Sequence, residues 1–140
     1  GDVVVHLPAE RVVFTGDILF NGGHPIVWAG PVDNWVAACE RVIDLAPDTV
    51  VPGHGPVCTT AEVAHQRDYL RFVQREAGAR AAAGMSPLEA ARDIDLGEYA
   101  DLGERERFVA NVVAVYRDLG HDVAADAPSL LAEMAAYGAG

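Results

Sequence analysis

Asp17 and His54 are the side chains of this sequence best placed to do chemistry. Each follows an apolar run and a glycine, in Val13-Phe14-Thr15-Gly16-Asp17 and Val51-Pro52-Gly53-His54-Gly55. A buried strand ending this way delivers a carboxylate or an imidazole to the rim of a sheet. The glycine lets the chain turn and lets a ligand come close. The two residues are remote in sequence, so only a folded sheet can join them. A carboxylate oxygen and an imidazole nitrogen brought together are metal donors, and the chemistry they serve is metal-assisted hydrolysis. From spacing alone, an aspartate after such a glycine is also a common turn former. A lone loop histidine is commonly a surface group. Pro-Gly before His54 and Gly-Pro after it hold the ring in a defined pose, which suits zinc or iron(II). Thr15 and the amides near Gly16 and Gly55 are candidates for the groups behind the donors.

Two further residues lie in the stretch 18–30, read as a glycine-rich loop. His24, in Asn21-Gly22-Gly23-His24-Pro25, is a candidate to reach a metal or a substrate. Trp28 is a candidate wall of a substrate pocket, with an ordinary partly buried aromatic as the alternative. His6 reads as structural, and His65 and His121 as surface groups. Trp35 and Tyr116 fall on helical stripes and read as core. The acidic segment from Asp93 to Glu106 lacks the ordered ligand spacing of a calcium loop.

The elements that must position these groups follow from periodicity. Residues 2–7 and 11–15 read as two strands joined by Pro8-Ala9-Glu10. Both are nearly continuous apolar runs, which suits strands covered on both faces. The pattern Val32, Trp35, Val36, Cys39, Val42, Ile43, Ala46 predicts a helix over 31–46, stopped by Pro47. Asp48-Thr49-Val50-Val51 is a short strand leading to His54. Thr59 and Glu62 stand at capping-box spacing for a helix over 60–78, with Val63, Leu70, Val73 and Ala77 inward. The alanine run between Gly78 and Gly84 reads as a breaker region. Ser86-Pro87-Leu88-Glu89 starts a short helix over 87–93. Phe108, Val109, Val112, Tyr116 and Leu119 stripe another over 104–119, stopped by Gly120. The Ala-rich stretch 123–140 reads as a loose tail or a partner-seeking helix beyond a domain over 1–122. The order β-β-α-β-α followed by helices is an α/β layer architecture.

These strings resemble the C-terminal half of a metallo-β-lactamase-fold hydrolase of the glyoxalase-II-like kind. The resemblance rests on Val12-Val13-Phe14-Thr15-Gly16-Asp17-Ile18-Leu19-Phe20, then Gly22-Gly23 and a helix-length segment, then Val50-Val51-Pro52-Gly53-His54-Gly55-Pro56. It covers roughly the first half of the chain. It implies half of an αββα sandwich, with Asp17 bridging two metal ions and His54 binding the second. Zinc is the implied metal, with iron or manganese as alternatives. The implied reaction is attack by metal-activated water on an ester, thioester, lactam or phosphoester of a small molecule. The family's H-x-H-x-D-H cluster is absent, as is a further ligand histidine that would precede Gly1. The expectation is therefore an incomplete half, inactive alone. The alternative is a non-catalytic, self-associating or structural half-domain. Either way, one face and one edge of a thin sheet would be open to a missing N-terminal half or a second copy.

Composition narrows the rest. A chain of 14.8 kDa that is 51% hydrophobic has enough apolar material for one core. Its net charge of -11, with ten arginines and no lysine, argues against nucleic acid as a partner. No membrane-spanning run or signal peptide is visible. Cys39 and Cys58 make no disulfide framework, although a bond between them remains open, and a reduced cytoplasmic setting is expected.

Overall fold

The sheet is built around one clamp. In a computed structural model describing residues 2–28, 30–124 and 126–139, the Arg11 carbonyl accepts from the amides of Asp48 and Thr49, at 2.8 and 3.2 Å. The Arg11 guanidinium also grips the Asp48 carboxylate, 2.6 Å from Nε to Oδ2, and the Ala46 carbonyl. These bonds pin the start of β2 (Val12–Phe20) beside the start of β3 (Thr49–His54). β2 and β3 pair in parallel, and β1 (Val5–Leu7) pairs antiparallel with β2 on its other side. Parallel neighbours need a crossover between them. It is supplied by the segment after β2 and by α1 (Val32–Asp44). The fold is α/β, with a three-stranded sheet and, among the described residues, five helices, consistent with a partial αββα sandwich.

The strands differ from their sequence pattern in three ways. β1 starts at Val5 rather than at residue 2. β2 runs on to Phe20, so Asp17 lies inside it and the loop begins only after Phe20. The register shifts between Phe14 and Gly16 and again between Gly16 and Phe20, so Asp17 lies where the ladder is irregular. Nor are the strands covered on both faces. Val13, Thr15 and Val50 are fully buried, while Val5, Leu7 and Phe14 are 39–49% exposed. Val5 pairs with Phe14 and Leu7 with Val12, which puts these side chains together on the outward face. An unbroken apolar run cannot tell a doubly covered strand from one with an apolar outer face.

The chain divides into two compact units, residues 1–23 with 33–70 and residues 24–32 with 71–140. In the first, Val13, Leu19, Val36, Cys39, Val42, Val50 and Val63 form the core under one sheet face. Cys39 and Cys58 are both free thiols. The predicted break near residue 78 does not occur, and α2 (Thr60–Ala82) continues through Gly78 and the alanines. One helical glycine costs about 1 kcal/mol, whereas Ala77 and Ala81 are buried and Arg80 pairs with Glu76 one turn away.

The second unit is helical. α3 (Pro87–Asp93) starts on the Ser86–Glu89 capping box, with both reciprocal bonds formed. A short 3-10 turn, Gly97–Tyr99, leads to α4 (Arg107–Asp118). α4 is buried continuously from Phe108 to Tyr116, so it is a central helix rather than a one-sided one. Leu119, expected on its stripe, is 55% exposed beyond the last turn. Most of the stretch 123–140, expected as a loose tail or a partner-seeking helix, is helical. Asp126 caps α5 (Ala127–Gly138), which buries Leu130 and Tyr137 and packs on α3 and α4. No helix of the described residues is long and apolar enough to cross a membrane.

Candidate metal centre

Asp17 and His54 come from neighbouring parallel strands, and backbone proximity is what joins them. A Cβ on Gly53 would sit 2.5 Å from the Gly16 carbonyl oxygen and 2.6 Å from its carbon. No larger residue fits there, and only this close approach lets β3 lie against the Gly16–Asp17 peptide. Gly55, at φ +88°, passes so close to Asn21 that a Cβ would lie 1.9 Å from its carbonyl oxygen. The Asn21 amide donates to the His54 carbonyl at 2.9 Å, and its side chain donates to the Pro56 carbonyl at 2.9 Å. The ends of the two strands are thus stitched on both sides of His54.

The result is a carboxylate–imidazole pair with His54 Nε2 3.1 Å from Asp17 Oδ1. The Phe20 ring stacks on His54, with centroids 4.1 Å apart and planes within 8°, which fixes the imidazole's orientation. Phe20 is fixed in turn by buried Gln66 of α2. The Gln66 Oε1 accepts the Phe20 amide at 2.8 Å and its Nε2 donates to the Ile18 carbonyl. Trp35 Nε1 donates to the same carbonyl at 2.7 Å. The Thr15 hydroxyl is buried and directed at the Val51 and Gly16 carbonyls, behind the Asp17 turn.

The donor set suits a borderline divalent ion such as zinc, for which nitrogen and oxygen donors are ordinary. Two donors held at about 2.0–2.1 Å on one tetrahedral ion lie roughly 3.3 Å apart, close to the 3.1 Å observed. The pair therefore fits two corners of one coordination shell. No group of three His, Cys, Asp or Glu side chains suited to a metal occurs among the described residues. A structural or catalytic zinc site takes three or four protein ligands, and the described residues bring only these two together here.

His24 is fully buried in the second unit, its ring tilted against Phe108 at 5.9 Å. Burial is the main reason its pKa falls to about 4, aided by the charges of Arg105 and Arg107 and opposed by Glu106. Such a ring is a neutral packing group at neutral pH. Trp28 is 47% exposed. The segment bearing both is held by Asn111 of α4, which accepts the Val27 amide at 2.9 Å and donates to the Pro25 carbonyl at 2.8 Å. Phe20, Gln66 and Asn111 did not stand out as functional in the sequence. One signal was present: Gln66 occupies the gap in the inward stripe Val63, Leu70, Val73, Ala77, where a polar residue must serve a buried partner.

A family model described as the metallo-beta-lactamase superfamily matches residues 1–54. The match covers under half of the chain, takes in the whole sheet and ends on His54 itself. That part of the chain is similar to a superfamily of metal-dependent hydrolases. No curated protein matches the chain.

Proposed function

We propose that this chain supplies part of a metallo-hydrolase centre, with Asp17 and His54 as metal ligands and the remaining ligands contributed by a polypeptide segment that these 140 residues do not contain. The 3.1 Å approach of Asp17 Oδ1 to His54 Nε2 at adjacent strand ends carries the reading. The superfamily match over residues 1–54 supports it. Zinc is the favoured ion, with iron or manganese as alternatives. When bound, such an ion draws a nucleophile from water near neutral pH and polarises a carbonyl or phosphoryl oxygen. The chain's own residues do the positioning. Asp17 and His54 hold, Phe20 orients the imidazole, and Gly53 and Gly55 permit the strand approach. The substrate class is a small ester, thioester, lactam or phosphoester. The complementary segment covers the outward sheet face at Val5, Leu7 and Phe14, and without it the chain associates with itself through that face.

Calorimetric titration with zinc tests this. The chain alone should bind weakly, and weaker still as Asp17→Ala or His54→Ala. Tight, stoichiometric binding should require an added half-domain carrying an H-x-H-x-D-H string, and thioester or lactam hydrolysis should arise only then. Tight binding by the chain alone overturns the incomplete-site reading. The second reading, a non-catalytic half-domain, is favoured by the lack of a third donor among the described residues. It predicts no hydrolysis in any combination, and activity lost on Asp17→Ala would exclude it.

A further inference from the structure

The helical unit holds a cavity of about 540 Å³ between the end of α3, the start of α4 and the last turn of α5, lined by Arg92, Arg105, Glu106, Tyr137 and Gly138. That volume lies within the range of small-molecule pockets, about 300–1,000 Å³. Its lining is unusual for this chain. Acidic residues outnumber arginines 21 to ten, and arginines here commonly have an acid beside them. Arg11 pairs with Asp48, Arg67 with Asp68, Arg75 with Glu76, Arg80 with Glu76 and Asp93, and Arg107 with Glu104. Among the described residues Arg41, Arg92, Arg105 and Arg117 pair with no acid, and of these Arg92 and Arg105 face this one cavity.

Each of those two is nonetheless oriented. Arg92 Nη2 donates to the Ala136 carbonyl near the end of α5 at 2.8 Å. The Arg105 guanidinium lies over the Tyr137 ring, 6.0 Å from its centroid. A guanidinium has five N–H donors in a planar fork. A stacking contact consumes none of them, and a single carbonyl consumes one. Two pre-oriented forks with spare donors are the arrangement that recognises carboxylate or phosphate. The buried Tyr137 ring adds an apolar wall. Glu106 leaves the lining with one net positive charge, which favours an anionic group. The molecule's overall charge of -11 repels anions at long range. Beyond the Debye length, about 10 Å at 0.1 M salt, that repulsion is screened, and contact hydrogen bonds decide.

We propose that this cavity binds a small molecule through a carboxylate or phosphate group held by Arg92 and Arg105. The site shares no residue with the Asp17–His54 pair, so its test is independent of the hydrolase reading. The 140-residue chain is titrated at about 0.1 M salt with succinate and, separately, with inorganic phosphate, followed by calorimetry and amide chemical shifts. At least one probe should bind saturably, and the better one identifies the group recognised. Arg105→Gln should weaken binding about tenfold or more, as loss of charge-assisted hydrogen bonds does. Arg92→Gln should do likewise, and Arg41→Gln on α1 should change nothing. If Arg92→Gln loosens α5, seen as lost helical circular dichroism, Arg105→Gln decides alone, because that side chain holds no backbone group among the described residues. Absence of saturable binding by both probes, or equal binding by Arg105→Gln and the unaltered chain, overturns the proposal.

Discussion

Asp17 and His54 are open to solvent, with side-chain exposures of 68% and 49%, so their contact does little for stability. Exposed ion pairs contribute about 0–1 kcal/mol. Alanine at either position should shift unfolding free energy by under about 1 kcal/mol in urea titration, while further weakening the weak zinc binding expected of the chain alone. A loss several times larger would instead give the pair a structural role. His24 is the opposite case. Its folded-state pKa is about 4 against 6.5 for the free side chain. Between those values the unfolded chain holds a proton that the folded chain refuses. Stability from the neutral ring is complete above pH 6.5, falls as pH drops from 6.5 towards 4, and levels below that. One unit of pKa corresponds to about 1.4 kcal/mol, so the fall from pH 6.5 to 5 should be about 2 kcal/mol. His24→Leu should flatten that slope, as read by urea midpoints across the interval. Gly53 is constrained by backbone alone. Gly53→Ala drives a methyl into the Gly16 peptide, and overpacking of this kind costs about 1–3 kcal/mol. The variant should also part Asp17 from His54, visible as a changed His54 ring signal in NMR.

At the scale of elements, two buried amides do what hydrophobic periodicity does not describe. Asn111 is 1% exposed on a helix otherwise buried in apolar residues. Asn111→Leu preserves approximate shape but takes the side-chain partners from the Val27 amide and the Pro25 carbonyl. A buried polar group left unpaired costs about 1–3 kcal/mol, so this substitution should lower stability by several kcal/mol and speed amide exchange at Val27. The helices themselves were legible where a cap and a stripe coincide. Ser86, Pro87 and Glu89 gave α3 its start, and Val32, Val36, Cys39 and Val42 gave α1 its buried face. Length failed at Gly78, because a glycine penalty is local and burial of Ala77 and Ala81 outweighs it. The strands were less legible. β2 continues through Ile18 and Leu19 to Phe20, where pairing resumes with His54 after a shift in register, and a register shift has no hydrophobic period to reveal it. Asp17 and His54 could be singled out from their glycines. Gln66 showed only as a polar gap in the inward stripe of α2, and Phe20 not at all, since stacking and amide bonding depend on which strands become neighbours.

For the whole molecule, the open question is physical: a small sheet presents apolar residues to water. Val5, Leu7 and Phe14 lie together on its outer face, and Val3 before them is 75% exposed. Scattered exposed hydrophobics are normal, but a contiguous set on a sheet marks a surface that meets something. The strongly acidic surface opposes association by mutual repulsion, and that repulsion weakens with salt. Burial of apolar area does not weaken in the same way, and exclusion of sulfate strengthens it. Self-association through this face should therefore increase with both concentration and ionic strength in sedimentation velocity. Phe14→Thr keeps the strand propensity of β2 and removes the largest apolar group of the patch. It should shift the chain towards monomer and reduce binding of an apolar dye. The substitution touches no residue of the buried face, so stability should hold within about 1 kcal/mol. A chain that stays monomeric at high salt and binds no dye, with or without Phe14, would show that this face needs no partner.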